Sequence, residues 1–133
     1  RLCLFRVESP HLLRLHMHQG DMLPMDSSAT AQILRIFGMQ PVPAYAATID
    51  LPIRTLGVTD PDTGSLAMPV FGVGEVLAGA LTVAAPSTRL TQERVKIIEA
   101  AMKAAATGLT KALGGCRPDL ERTGHRTTVS CED

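Results

Sequence analysis

A chain of 133 residues with thirteen basic and thirteen acidic side chains is enough for one domain and carries no net charge. That balance, with three Phe, one Tyr and no Trp, excludes from this segment the basic, aromatic-studded surface of a nucleic-acid binder. A hydrophobic content of 45% excludes a disordered chain, and no apolar run approaches the roughly 20 residues of a membrane helix.

The chain opens on Arg1 with neither an initiator Met nor a signal-peptide pattern, so it reads as a piece of something longer. Cys3, Cys116 and Cys131 are odd in number and lack metal-ligand spacing, which leads us to expect reduced thiols in a cytoplasmic protein. Leu2 to Val7 predicts a strand, with a turn at Glu8-Ser9-Pro10. Leu13, Leu15 and Met17 then alternate with Arg14, His16 and His18, the period of a half-buried strand. The first helix is expected over Ser27–Phe37, capped by Asp26 or Ser27, with Gly38 as a left-handed C-terminal residue. Its first turn is small and hydroxylated. Free N–H groups there suit an anion, although small residues also suit close packing on a sheet.

Pro41, Pro43, Pro52 and Pro61 interrupt Met39 to Asp62, and no regular element is assigned there beyond a short helix or turn at Ile53–Gly57. Thr59 to Gly64 is turn chemistry, in which Asp60 and Asp62 ordinarily cap local N–H groups. Two apolar runs, Leu66–Phe71 and Val76–Ala85, flank Gly72-Val73-Gly74-Glu75 and predict a hairpin of central strands covered on both faces. Thr82 is the one hydroxyl within the second run and Ser65 stands at the mouth of the first, so both require partners. The last helix is expected over Gln92–Leu113, capped by Thr91, with Leu90 stapled to Val95. Its buried stripe is expected to be Val95, Ile98, Met102, Ala105, Leu109 and Ala112. Gly114-Gly115 ends it, and residues 116–133 read as a polar tail.

No motif here carries catalysis. There is no Gly-x-Ser-x-Gly elbow, and no cysteine has a base beside it. His11, His16, His18 and Asp21 lie close enough for a metal site, but a solvated polar strand face accounts for them with no third ligand fixed by spacing. Gly72-Val73-Gly74 joins two strands and lacks the Lys-Ser/Thr of a phosphate loop.

Three segments in order carry a resemblance. Gly20 to Ala29 (GDMLPMDSSA) is similar to the "G…LP(L/M)H-T/S-A" segment of IclR-type transcriptional regulators. Thr63 to Phe71 (TGSLAMPVF) resembles their "S-(I/L)-A-x-P-V-F" strand, and Val76 to Leu90 resembles the strand that leads into their final helix. The resemblance covers residues 1 to about 115. It implies an α+β fold, a GAF-like curved antiparallel sheet with flanking helices, serving as the effector-binding domain of a regulator. The domain's first helix and strand would be missing from this chain, as would residues between Phe37 and Gly57.

The resemblance further implies a small organic or aromatic acid effector, no cofactor, a homodimer or tetramer, and DNA contact only through a winged helix-turn-helix domain preceding Arg1. Carried over, the effector pocket is lined by Leu12, Leu15, Ser28, Ala29, Thr30, Ser65, Met68, Thr82 and Ala84, with Asp60 or Asp62 as its acidic member. Strand alternation puts Leu12 and Leu15 on opposite faces, so both line one pocket only across a bulge. Thr30-Ala31-Gln32 replaces the family's small-residue-Gly-Lys, and Ala84 replaces a Ser. A less polar, less cationic site follows, suited to a larger or more apolar acid than the smallest oxoacids. Two other readings remain: a GAF-fold enzyme of the free methionine sulfoxide reductase kind, which would need a reactive Cys3, and a ligand-free dimerisation module.

Overall fold

In the computed structural model, residues 1–120 are described, so the expected tail from 121 onward lies outside the described residues. The centre is an antiparallel sheet in the order β1 (Ile53–Leu56), β2 (Thr63–Phe71), β3 (Leu77–Pro86). Helix α1 (Ala29–Phe37) covers one face and α2 (Gln92–Ala112) the other. The fold is α+β, as the resemblance implies.

The expected hairpin is present. Gly72 N–H donates to Val76 O at 2.7 Å, and the tight turn places Gly74 and Glu75 at positive φ. The register slips between Val70 and Phe71, so Phe71 pairs with Leu77 and the bulge leaves Ala78 unpaired. β2 is buried from Leu66 to Phe71, which is why its sequence reads as an unbroken apolar run. β3 differs from expectation. It is an edge strand, and Ala78, Thr82 and Ala84 on it are exposed.

Period-2 geometry divides β2 between two cores. Ala67 and Phe71 join Ala29, Ile33, Phe37, Ala46 and Ile53 beneath α1, where the Phe37 and Phe71 rings meet edge to face at 6.0 Å. Leu66, Met68 and Val70 join Leu90, Val95, Met102 and Ala106 beneath α2. Thr91 Oγ1 accepts from Arg94 N–H at 3.3 Å, and Leu90 and Val95 are both buried, as the expected N-cap and staple require.

Four further expectations about the elements need correction. Ile53–Gly57 is not a helix or turn: Ile53–Leu56 is a strand paired with Gly64–Ala67. The buried stripe of α2 passes through Ala106 and Thr110 rather than Ala105, Leu109 and Ala112, because Thr110 Oγ1 accepts the Phe71 N–H at 3.1 Å inside the core. Gly38 is right-handed (φ −78°). Its glycine is needed because a Cβ would overlap the Leu34 carbonyl.

The fourth correction concerns residues 1–25, which form an irregular arm rather than two strands. Leu2 and Met22 make the one bridge, flanked by Cys3 N–H to Asp21 O at 3.0 Å and Leu23 N–H to Arg1 O at 2.8 Å. Further out, the carbonyls of Leu15 and Met17 accept from the Arg6 guanidinium, so a side chain takes the place of ladder partners. Two strands without a third or a covering helix are marginal in water.

Within residues 116–120, Leu120 lies against the α1-side core, while Arg117 and Asp119 are exposed. Cys116 is engaged in a disulfide, against the expectation of a reduced thiol.

Candidate ligand-binding site

The hydroxyls singled out from the sequence do meet, at the corner where α1 starts above the sheet. Ala29 and Ala31 have no exposed surface, and Ala67 below them has none, so the helix lies close on the strands. That closeness is what small side chains permit. Cross-strand pairing then aligns Thr55, Ser65 and Ala84 in one row and Ile53, Ala67 and Thr82 in the next. Ala29 N–H donates to Thr55 Oγ1 at 3.1 Å, and Thr55 shares a hydrogen with Ser65 Oγ at 2.9 Å. Thr30 and Thr82 hydroxyls meet at 2.8 Å.

The inner part of this corner is hydrogen-bonded within the chain, while the outer part opens to solvent. Thr55 and Ser65 are half-buried with their hydrogen bonds directed at one another and at the helix start. Thr30 is half-buried, and Thr82 and Ala84 are exposed along the free edge of β3. Deeper under α1 the space is filled by Ile33, Phe37 and Phe71, each with 1% exposure or less. The enclosed cavity expected between the sheet and the start of α1 is not present among the described residues, and Thr82 turns outward, so a ligand would sit at a rim.

Beside the rim, a charged junction fixes the helix end. Asp26 Oδ1 accepts from Ser28 N–H at 3.0 Å, Thr59 Oγ1 donates to Asp26 Oδ2 at 3.2 Å, and Arg1 lies 3.5 Å from the same oxygen. The Arg1 guanidinium also donates to Ser28 Oγ, and Arg35 donates to the carbonyls of Met25 and Asp26 at 2.7 and 2.8 Å. Hydrogen bonding from Ser28, its side chain above all, holds the Asp26 carboxyl below the usual range; partial burial opposes this, and the Ser28 N–H, the Arg1 charge and Thr59 reinforce it. The Asp26 carboxylate thus already occupies the position at the helix end that an incoming anion would seek.

The remaining expected pocket residues are elsewhere. Met68 points to the α2 face, opposite Ser65, since an odd separation along a strand reverses direction. Leu12 is 97% exposed on the arm and Leu15 half-buried there. Asp60 and Asp62 are exposed, and Asp60 Oδ1 accepts the Asp62 N–H at 2.9 Å, an Asx turn. Ser28, Ala29, Thr30, Ser65, Thr82 and Ala84 are the members brought together. Thr55 and Arg1 were missed. Thr55 was findable from the Ile53/Thr55 alternation once that stretch is read as a strand. The histidines gather no metal site: among the described residues no three His, Cys, Asp or Glu side chains converge.

No family model and no curated protein matches the sequence. Solved structures do. An IclR-type transcriptional regulator from a Silicibacter species superposes with TM-score 0.68 at 21% identity, over 84% of this chain and 54% of its own. An IclR-family regulator from a Rhodococcus species gives 0.70 at 18% identity, over 84% of this chain and 51% of its own. The C-terminal domain of a transcriptional regulator from Vibrio cholerae gives 0.65 at 21%, over 81% of this chain and 77% of that domain. The chain has the fold of IclR-regulator C-terminal domains. It spans about half the length of the whole regulators it matches. The structural neighbours share the fold that the three-motif resemblance implies. Among the described residues no helix is long and apolar enough to cross a membrane.

Proposed function

We propose that this chain is the small-molecule-sensing domain of a DNA-binding transcriptional regulator, that its effector is an organic or aromatic acid, and that it catalyses no reaction. The observation that carries the reading is the Thr30–Thr82 hydroxyl pair at a solvent-open rim, on a fold shared with transcriptional regulators. A carboxylate arriving there replaces one hydroxyl–hydroxyl bond by two hydroxyl donors, each stronger for being charge-assisted. The apolar body of the acid lies over Ala84 and the edge of β3. Because Arg1 is committed to Asp26 and Ser28, it is not a free cation for the rim, which favours bulk over charge in the ligand.

On this reading residues 1–115 are an incomplete effector domain of a cytoplasmic homo-oligomer. DNA contact belongs to a winged helix-turn-helix domain outside the chain. The ligand regulates only through a preference for one arrangement of that oligomer over another. The test is thermal unfolding with benzoate, phenylacetate, 4-hydroxybenzoate and pyruvate, on the chain and on a Thr30→Val/Thr82→Val variant. An acid at about 100 times its Kd stabilises by about 2.7 kcal/mol. Stabilisation by an aromatic acid that disappears in the double variant is expected; no stabilisation, or stabilisation that survives it, refutes the site.

A further inference from the structure

We propose a second ligand site on the opposite face of the sheet, a cationic hollow that takes an amphipathic organic carboxylate. Two adjoining hollows of about 400 and 410 Å³ lie between β2 and the C-terminal half of α2, sharing Met68, Thr107 and Arg117 as walls. Each has the volume of an ordinary small-molecule site. One is closed by Ile49, Asp50 and Leu51; the other by the glycine turn after α2.

Its chemistry is asymmetric. The apolar part of the floor is well packed: Met68 and Ala106 are both buried. Among the described lining residues, Lys103, Lys111 and Arg117 stand against one acid, Asp50, with Glu99 a helical turn from Lys103. Among the described residues none of these three cations is in an ion pair. Lys103 and Lys111 are eight residues apart, about 12 Å along the axis of α2, so Lys103 borders one hollow and Lys111 the other. Thr107 stands between them, its hydroxyl donating to Lys103 O at 2.9 Å, so the cations and not this hydroxyl would meet the carboxylate.

The negative end of the α2 dipole opposes an anion here, but the helix is closed off. Gly114 N–H donates to Lys111 O and Gly115 N–H to Thr110 O, both at 2.9 Å. With those carbonyls engaged, three cations around a partly desolvated floor set the sign of the site. Nothing in this hollow belongs to the hydroxyl rim, since Met68 and Ser65 face opposite sides of β2.

The experiment is amide chemical-shift mapping on the 133-residue chain with octanoate, with octanol and octylammonium as matched probes of the same tail. Octanoate is expected to shift Met68, Thr107 and Gly115 saturably, and octylammonium to leave them unmoved. Lys103→Gln/Arg117→Gln is expected to weaken octanoate at least tenfold, Arg117→Lys by less than threefold, and Lys96→Gln not at all. Thr30→Val/Thr82→Val leaves the hollow's response intact, so failure here and failure of the rim are separable. Octanol binding as tightly as octanoate, shifts confined to other residues, or undiminished affinity in a folded double variant would each overturn the proposal.

Discussion

Thr110→Val isolates one hydrogen bond that joins the two layers. The Thr110 hydroxyl, 9% exposed as a residue, accepts the Phe71 N–H at 3.1 Å where β2 ends. Valine has the same shape and nearly the same helix propensity, so neither a cavity nor the helix itself contributes much. What remains is a buried N–H without an acceptor, about 1–3 kcal/mol. Thr110→Ser retains the acceptor and loses one methyl, about 0.8 kcal/mol. Urea denaturation should therefore rank wild type above Ser and Ser above Val. At roughly 4 °C per kcal/mol for a chain of this size, valine lowers Tm by about 4–12 °C. Native-state exchange of the Phe71 amide should accelerate in the valine variant by more than its global destabilisation explains. Equal stability of the Ser and Val variants, or an unchanged Phe71 amide, would refute the argument that this bond places the α2 face.

The Asp26 carboxyl is depressed in the fold, so its contribution to stability is present above its unfolded pKa and is lost as pH falls through the folded value. Asp26→Asn should flatten the acid limb of the stability curve in that window, measured by urea midpoints at successive pH. Phe37→Leu loses the edge-to-face contact with Phe71 and leaves part of a ring's volume empty; about 1–3 kcal/mol of destabilisation is expected by the same denaturation. Gly115→Ala would drive a Cβ into the Phe71 and Gly72 carbonyls, so the turn after α2 must shift, and a lowered Tm with altered Cys116 environment by NMR is expected.

What the sequence reveals depends on whether burial and periodicity agree. β2 and the hairpin turn were legible because a strand buried on both faces must be apolar throughout, and the turn has few residue choices. The hydroxyl corner was legible in part: Thr30 meets Thr82, and Ser65 finds its partner in Thr55. Counting by twos along β2 from Ser65 would have excluded Met68 from it. β1 was not legible, since four residues between Pro52 and Gly57 look like a turn until β2 is beside them. On α2 the misreading was chemical. Alanines occupy several faces of that helix, and the decision rests with Thr110, a polar residue drawn inward by an N–H that only the fold brings near. The cations of the hollow look like an ordinary solvated face, because Arg117 joins them only after the chain has turned at Gly114, where φ is 68°.

Both sites share β2 as a wall, and this decides where a ligand's effect can go. A strand buried along six successive residues between two packed cores does not yield gradually, because interiors at this density rearrange only as units. The softer parts lie at the margins. At the rim, the helix start that carries Thr30 is bound through Ser28 and Asp26 to Arg1, and thereby to the arm of residues 1–25. That arm leaves Leu4, Phe5, Val7 and Leu13 exposed, so its position depends on few contacts within the chain. Occupancy of the rim acts on α1 at the very end that anchors the arm, whereas occupancy of the hollow acts on α2 and the 114–117 turn. Two ligands on the two faces would then couple only weakly through β2. Titration of one probe at saturating concentrations of the other measures that coupling, and a change in affinity of tenfold or more would show that β2 transmits what its packing argues it should resist.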